Sequence, residues 1–195
     1  MYTADNSTLH LHHVSRVTHH GFTAVELMVA LAILAVLSAI AVPSFRTLFE
    51  RWRVLQTAES LKSSLMLARS EAIKQGGRIV IQKIANNTDG CTTATDKTDW
   101  DCGWIICNDL NNSGTCTKTD PILQTVSAPR DVQITRSGGA DTIKLNRWGL
   151  VDGAFLSFSI VPLNKSTANS AAKGLCMSSG GRIRLIPLEE IPCTS

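Results

Sequence analysis

The sequence predicts an α+β fold: one long N-terminal α-helix, kinked near its middle, whose second half packs on antiparallel β-sheets. Three observations predict it. An apolar run begins after residue 21, an amphipathic period of three and four residues carries it on to Gly76 and Gly77, and short β-prone runs fill the remainder. With 195 residues and 44% hydrophobic content, the chain has material for one soluble domain plus a membrane helix.

The first half of the helix is residues 22–45, where positions 22–42 hold Glu26 as their sole ionisable side chain. As a helix rising about 1.5 Å per residue, that run is about 31 Å long, close to the hydrocarbon thickness of a bilayer. A carboxylate inside it costs about 2.5–3.5 kcal/mol on insertion scales, so Glu26 marks a functional position in need of a partner. Pro43 closes the run and predicts a kink or local unwinding. The second half, residues 46–76, is amphipathic. Trp52, Leu55, Ala58, Leu61, Leu65, Ala68 and Ala72 form the predicted apolar face, with Arg53, Glu59, Lys62, Arg69 and Lys74 mostly on other faces. Gly76 and Gly77 supply the C-cap.

Residues 77–195 form the predicted β-rich domain. Strand-like runs at 78–84, 103–107, 122–126, 132–136, 142–145, 155–161, 174–177 and 182–188 alternate with turn-rich segments such as NNTDG, NDLNNSG and NKSTANS. Trp104 and Ile106 alternate into the expected core, and the Asn-rich turn after them joins two strands. No internal repeat or low-complexity linker is present.

Six cysteines, Cys91, Cys102, Cys107, Cys116, Cys176 and Cys193, all fall in this domain, with no C-x-x-C among them. An even count in an exported domain reads as up to three disulfides, for which sequence alone allows 15 pairings. We favour Cys176–Cys193 as a staple of the C-terminal segment, then Cys91–Cys102 and Cys107–Cys116. The net charge is +3, only weak support for an anionic partner. All five histidines lie in residues 1–21, so a chain starting at Phe22 has none. That excludes His-based acid–base catalysis, Ser-His-Asp or Cys-His nucleophiles and His-ligated zinc. With no nucleophile elbow or P-loop either, the chain reads as not an enzyme. Arg46, Arg51 and Arg53 follow the apolar run while Arg16 alone precedes it, which by charge count would keep the domain in the cytoplasm. The cysteines argue for export instead.

The segment GFTAVELMVALAILAVLSAIAVPSF, residues 21–45, resembles the prepilin signature of type IV pilins and type II secretion pseudopilins. The resemblance implies a type IV pilin-like fold and a leader, residues 1–21, removed by prepilin peptidase. In that family the enzyme cuts after the glycine and N-methylates the next residue, here Gly21 and Phe22. Glu26 would then face the N-terminal amine of a neighbouring pilin subunit, the cationic partner its burial calls for. ARSEAIKQGGRIVI (68–81), DWDCGWIICNDLNNSG (99–114) and LNRWGLVDG (145–153) resemble the GspH/FimT family of minor pilins, a likeness that runs over most of residues 21–190.

Two stretches invite a binding role. Asp109, Asn111, Ser113 and Gly114, with Asp120 at the twelfth position, superficially match an EF-hand calcium loop. Flanking helices and the bidentate Glu are missing and Cys116 interrupts it, so it reads as a hairpin turn, and no metal or cofactor is expected. In SSGGRIRLIPL (178–188), Arg182 and Arg184 would project from one face of a strand while Ile183 and Leu185 point inward. Two guanidiniums beside Gly180 and Gly181 suit phosphate oxygens, with Lys173 as an extension of the patch. The competing reading is an edge strand whose arginines block edge-to-edge pairing. FimT-like minor pilins carry a GRxR motif in this region that binds DNA during uptake. Gly181-Arg182-Ile183-Arg184 resembles it position for position, while Glu189 and Glu190 close by would keep the patch narrow. Lys144, Arg147 and Arg136 are candidate auxiliary contacts.

The resemblance thus implies a minor type IV pilin that binds extracellular double-stranded DNA without sequence specificity during natural transformation. The alternative is a structural subunit without DNA binding, either a GspH-like pseudopilin or a FimU-like pilus-tip adaptor. The implied partners are other pilin subunits, prepilin peptidase, double-stranded DNA, and the inner membrane through residues 22–42 before assembly. The implied location is the inner membrane, single-pass with a periplasmic C-terminal domain, and then the pilus at the cell surface.

Overall fold

The computed structural model describes residues 21–193 apart from 152 and 154, with the side chains of 41–44 also outside the description. The expected leader and its histidines, Gly21 aside, lie outside the described residues. The chain divides into two compact units, Met1–Val42 and Pro43–Ser195.

Helix α1 is Ala24–Gln75. In the first unit its apolar side chains are uncovered by the chain itself, with Val25, Met28 and Ile40 all about seven-tenths exposed. No single described helix is both long and apolar enough to cross a membrane; Ala24–Ile40 and Phe45–Gln75 satisfy length and composition only when taken together. The kink expected at Pro43 falls on the junction of the two units.

In the second unit α1 buries Val54, Ala58, Leu61, Leu65, Ala68 and Ala72 completely. Steps of four and three keep these on one stripe, because 3.6 residues complete a turn. Trp52 and Leu55 depart from expectation: they are 60% and 45% exposed, and Val54 takes the inward position instead. The helix ends where predicted, with Gly77 N–H donating to Ala72 O at 2.7 Å in a Schellman-type closure. Arg51 donates to Ser170 Oγ at 3.2 Å and Arg53 pairs with Asp131. Two of the three arginines that confound the charge count, Arg51 and Arg53, therefore make contacts within the domain itself.

Each predicted β run is a strand: β1 (Ile79–Lys83), β2 (Gly103–Asn108), β3 (Ile122–Ser127), β4 (Val132–Arg136), β5 (Thr142–Leu145), β6 (Leu156–Pro162), β7 (Lys173–Met177) and β8 (Ile183–Ile186). They form two four-stranded antiparallel sheets, ordered β3-β2-β1-β5 and β4-β6-β7-β8. One apolar cluster joins the helix stripe to both sheets through Ile79, Ile81, Trp104, Ile106, Ile134, Phe158 and Leu175. Trp100 stands edge-on to Phe158 at 5.3 Å inside it. The disulfides are Cys91–Cys102, Cys107–Cys116 and Cys176–Cys193, the pairing favoured from sequence. The last, with Ile186 and Ile191, makes a second small cluster on the outer face of the β8 edge.

Candidate functional site

Two regions carry the predicted functional residues, one in each unit. At the chain's start Gly21 has open space around it and Phe22 is 87% exposed, so the junction between them is accessible. Thr23 caps α1. Its backbone N–H and hydroxyl donate to Glu26 Oε2 at 2.9 and 2.8 Å, while the Glu26 N–H donates to Thr23 Oγ1 at 3.2 Å. This reciprocal capping box satisfies amides that the first helical turn leaves unpaired. Glu26 thus has a partner within its own chain. The signal, Thr followed by Glu three residues later, is legible in the sequence, but reading the acid for an inter-subunit role passed over it.

The second region is the turn from β7 to β8. Ser178 N–H donates to Arg182 O at 3.0 Å, Gly181 N–H to Ser178 O at 2.8 Å, and Arg182 N–H to Ser178 Oγ at 3.2 Å. This tight loop delivers the chain into β8, the edge of its sheet. Arg184 stands opposite Cys176, and Ile183 and Leu185 stand opposite Met177 and Leu175. Opposed residues of an antiparallel pair share a face, so Ile183 and Leu185 meet the core and Arg184 faces outward. Arg182, just before β8, instead borders a groove against α1 with Met66, Arg69 and Ile73. Arg182 and Arg184 are both exposed, and neither guanidinium has a hydrogen bond or ion pair among the described residues.

Lys173 does not join them. Strand alternation places it on the face of Leu175 and Met177, opposite Arg184. Arg136 is also committed elsewhere. Its Nη1 donates to Ala140 O and Thr142 O at 2.8 and 2.6 Å, and its guanidinium carbon lies 6.0 Å from the Trp100 ring centroid. Lys144 and Arg147 are exposed, on β5 and on the turn that follows it. Glu189 and Glu190 are exposed in the short 3-10 turn just beyond β8.

One residue that sequence reasoning missed is Arg69. Set off the predicted apolar face, it is half-buried and its Nη1 donates to Gly181 O. A Cβ on Gly181 would stand 2.6 Å from the Arg69 Cζ, and one on Gly149 would stand 2.5 Å from its Cγ. Arg69 is therefore wedged beneath two turns, one carrying Arg182 and the other carrying Trp148. The only local hint was its place in the ARSEAIKQGG segment; its partner lies 112 residues away.

In the loop resembling an EF-hand, the oxygens are taken by the chain's own amides. Asp109 Oδ1 accepts from Ser113 N–H at 2.9 Å and Oδ2 from Gly114 N–H at 2.6 Å. Asp120 Oδ2 accepts from the Thr117 hydroxyl and N–H, and Oδ1 from Leu110 N–H. The Thr117 hydroxyl and then its amide hold the Asp120 carboxyl below its ordinary range. No group of three or more metal-ligating side chains occurs among the described residues.

Residues 57–181 match the family described as Type II transport protein GspH, and residues 16–42 match the prokaryotic N-terminal methylation motif. The family match stops at Gly181, one residue short of the exposed arginine pair. Two fimbrial proteins of Pseudomonas aeruginosa are each 34% identical over 95 residues, or 48% of this chain. The chain spans about half the length of these relatives, at 54%. The type IV minor pilin FimU of P. aeruginosa is 26% identical with a TM-score of 0.57, over 74% of this chain and 96% of that one. A second crystal form gives 25% and 0.54, over 72% and 98%.

Proposed function

The chain belongs to the GspH family, as a minor pilin or pseudopilin with an N-terminal methylation motif, and we propose that it captures double-stranded DNA through Arg182 and Arg184. The family is one of structural pilins rather than enzymes, so the functional question is what this subunit holds. The observation that supports DNA is the pair of exposed, unengaged guanidiniums at the entry to β8, Arg182 on a turn that Arg69 braces and Arg184 on the outward face of the strand. Guanidinium forks suit phosphate oxygens, which carry no sequence information, so binding through them is sequence-independent. In this reading the subunit serves DNA uptake in natural transformation.

Assembly follows the same family logic. Prepilin peptidase cuts after Gly21 and methylates Phe22, the apolar half of α1 holds the chain in the inner membrane, and the domain rides into a pilus with other subunits. On assembly Glu26 exchanges its capping contacts with Thr23 for a neighbour's amine. Mass spectrometry of the mature subunit should return a chain beginning at methylated Phe22.

A DNA mobility-shift titration across salt tests the site. Each phosphate contact adds about 0.9 to the slope of log affinity against log salt. Arg182→Ala with Arg184→Ala should therefore flatten the slope by about 2 and weaken binding at every salt concentration. Retained affinity with an unchanged slope refutes the assignment. A second reading, a FimU-like adaptor or GspH-like pseudopilin without DNA binding, is favoured by the likeness to FimU and by the edge position of β8, where charges block sheet extension. Absence of DNA binding even at low salt would select it.

A further inference from the structure

Trp148 has no explanation in the fold. It is 68% exposed, whereas Trp100 and Trp104 are buried at 0% and 1%. The turn presenting it is nonetheless tightly built. Asn146 Oδ1 accepts from Trp148 N–H at 2.9 Å and from Leu150 N–H at 3.1 Å, and Asn146 N–H donates to Leu150 O at 2.9 Å. A large apolar ring held outward on a rigid turn is the arrangement of a contact residue.

Its position is specific. The Gly149 backbone lies against Arg69 Cγ and the Ile73 Cδ1, while Gly181 lies against the Arg69 guanidinium and the Leu150 side chain. The Trp148 turn and the Arg182 turn are thus neighbours, separated by one arginine side chain. Between the helix and the second turn runs an open groove of about 280 Å³, lined by Met66, Arg69, Ile73, Arg182 and Ile183. Its walls are apolar at Met66, Ile73 and Ile183 and cationic at the rim. Arg69 Nε is buried without a partner.

Resting on the DNA-binding reading above, we propose that Trp148 is a stacking platform for an unpaired nucleobase whose adjoining phosphate sits on Arg182. An exposed indole offers a π-face that any base can use, so stacking adds affinity without sequence preference. The ligand class is DNA with exposed bases: single strands, frayed ends or locally opened duplex. The arginines hold the backbone of either form, and Trp148 discriminates in favour of the opened one.

The test uses the full chain in detergent, with fluorescence anisotropy on a fully paired duplex and on the same duplex carrying a central unpaired bubble. The wild type should bind the bubble about 5–100-fold more tightly, the range base–aromatic stacking supplies. Trp148→Ala should erase that preference while keeping paired-duplex affinity, and Trp148→Phe should keep part of it. Arg182→Ala with Arg184→Ala should weaken both probes in parallel. The inference is overturned if the wild type shows no preference, if Trp148→Ala retains it, or if Trp148→Ala weakens both probes equally, as a contact between pilin subunits would. A wild type that binds neither probe refutes the DNA reading itself.

Discussion

Replacing Gly181 by alanine should strike the candidate interface at its support. Gly181 has a φ of +81°, in the left-handed region, where an L-residue pays about 1–2 kcal/mol. The added methyl would stand 2.6 Å from Arg69 Cζ, 2.7 Å from Nη2 and 2.9 Å from Leu150 Cδ2. A guanidinium is mobile and will move, but only by giving up its bond to the Gly181 carbonyl. A hydrogen bond from a charged donor is worth about 1.5–3 kcal/mol, so the combined loss is about 2.5–5 kcal/mol. Urea unfolding of the Pro43–Ser195 unit, which contains the whole helix-and-sheet core and all three disulfides, measures it. A double-mutant cycle isolates the cause. In an Arg69→Ala background the same glycine change should cost only its backbone share, a coupling of about 1.5 kcal/mol or more. Equal losses in both backgrounds, or a loss below about 1 kcal/mol, would refute the idea that Arg69 braces this turn.

Gly103 has a φ of +90°, and a Cβ there would lie 2.1 Å from Val126 O and 2.8 Å from Ser127 C. Both are backbone atoms of the paired strand, so Gly103→Ala should part β2 from β3 and lower stability by about 3 kcal/mol or more in chemical denaturation. Removing Cys176–Cys193 with paired alanines should cost about 3 kcal/mol, the chain-entropy value for its 17-residue loop, read as a lowered denaturation midpoint. Burial pushes the Asp101 carboxyl from 3.8 up to about 6, against the Ile134 amide that bonds its charged form. The folded state therefore keeps a proton that the unfolded chain has released. Stability from this group is present below about pH 4 and lost as pH rises through about 6, and Asp101→Asn should flatten that slope in pH-dependent melts. Arg136→Ala should cost about 1–2 kcal/mol through its carbonyl bonds and its place over Trp100, while leaving DNA affinity unchanged in the mobility-shift titration.

Features governed by neighbours along the chain are legible in the sequence itself. The helix stop at Gly76 and Gly77 and the eight strands follow from local period and turn chemistry, which act over a few residues. Trp52 and Leu55 misled because hydrophobicity alone does not say which of two apolar faces the sheets will cover; Val54 settled that by packing at 0% exposure. Lys173 seemed to join the arginines because it precedes the same hairpin, but strand alternation put it on the face opposite Arg184. Alternation is readable within one strand, whereas the register between strands is not.

The sequence by itself determined the membership, the helix, the number of strands and the two exposed arginines, since each rests on a contiguous motif. The tertiary structure alone decided what surrounds those arginines. Arg69 reaches Gly181 across 112 residues, and Gly149 with its exposed Trp148 comes to rest on the same side chain. No local pattern encodes such meetings. They arise because burying one helix stripe and both sheet faces in a single core fixes where every turn must fall.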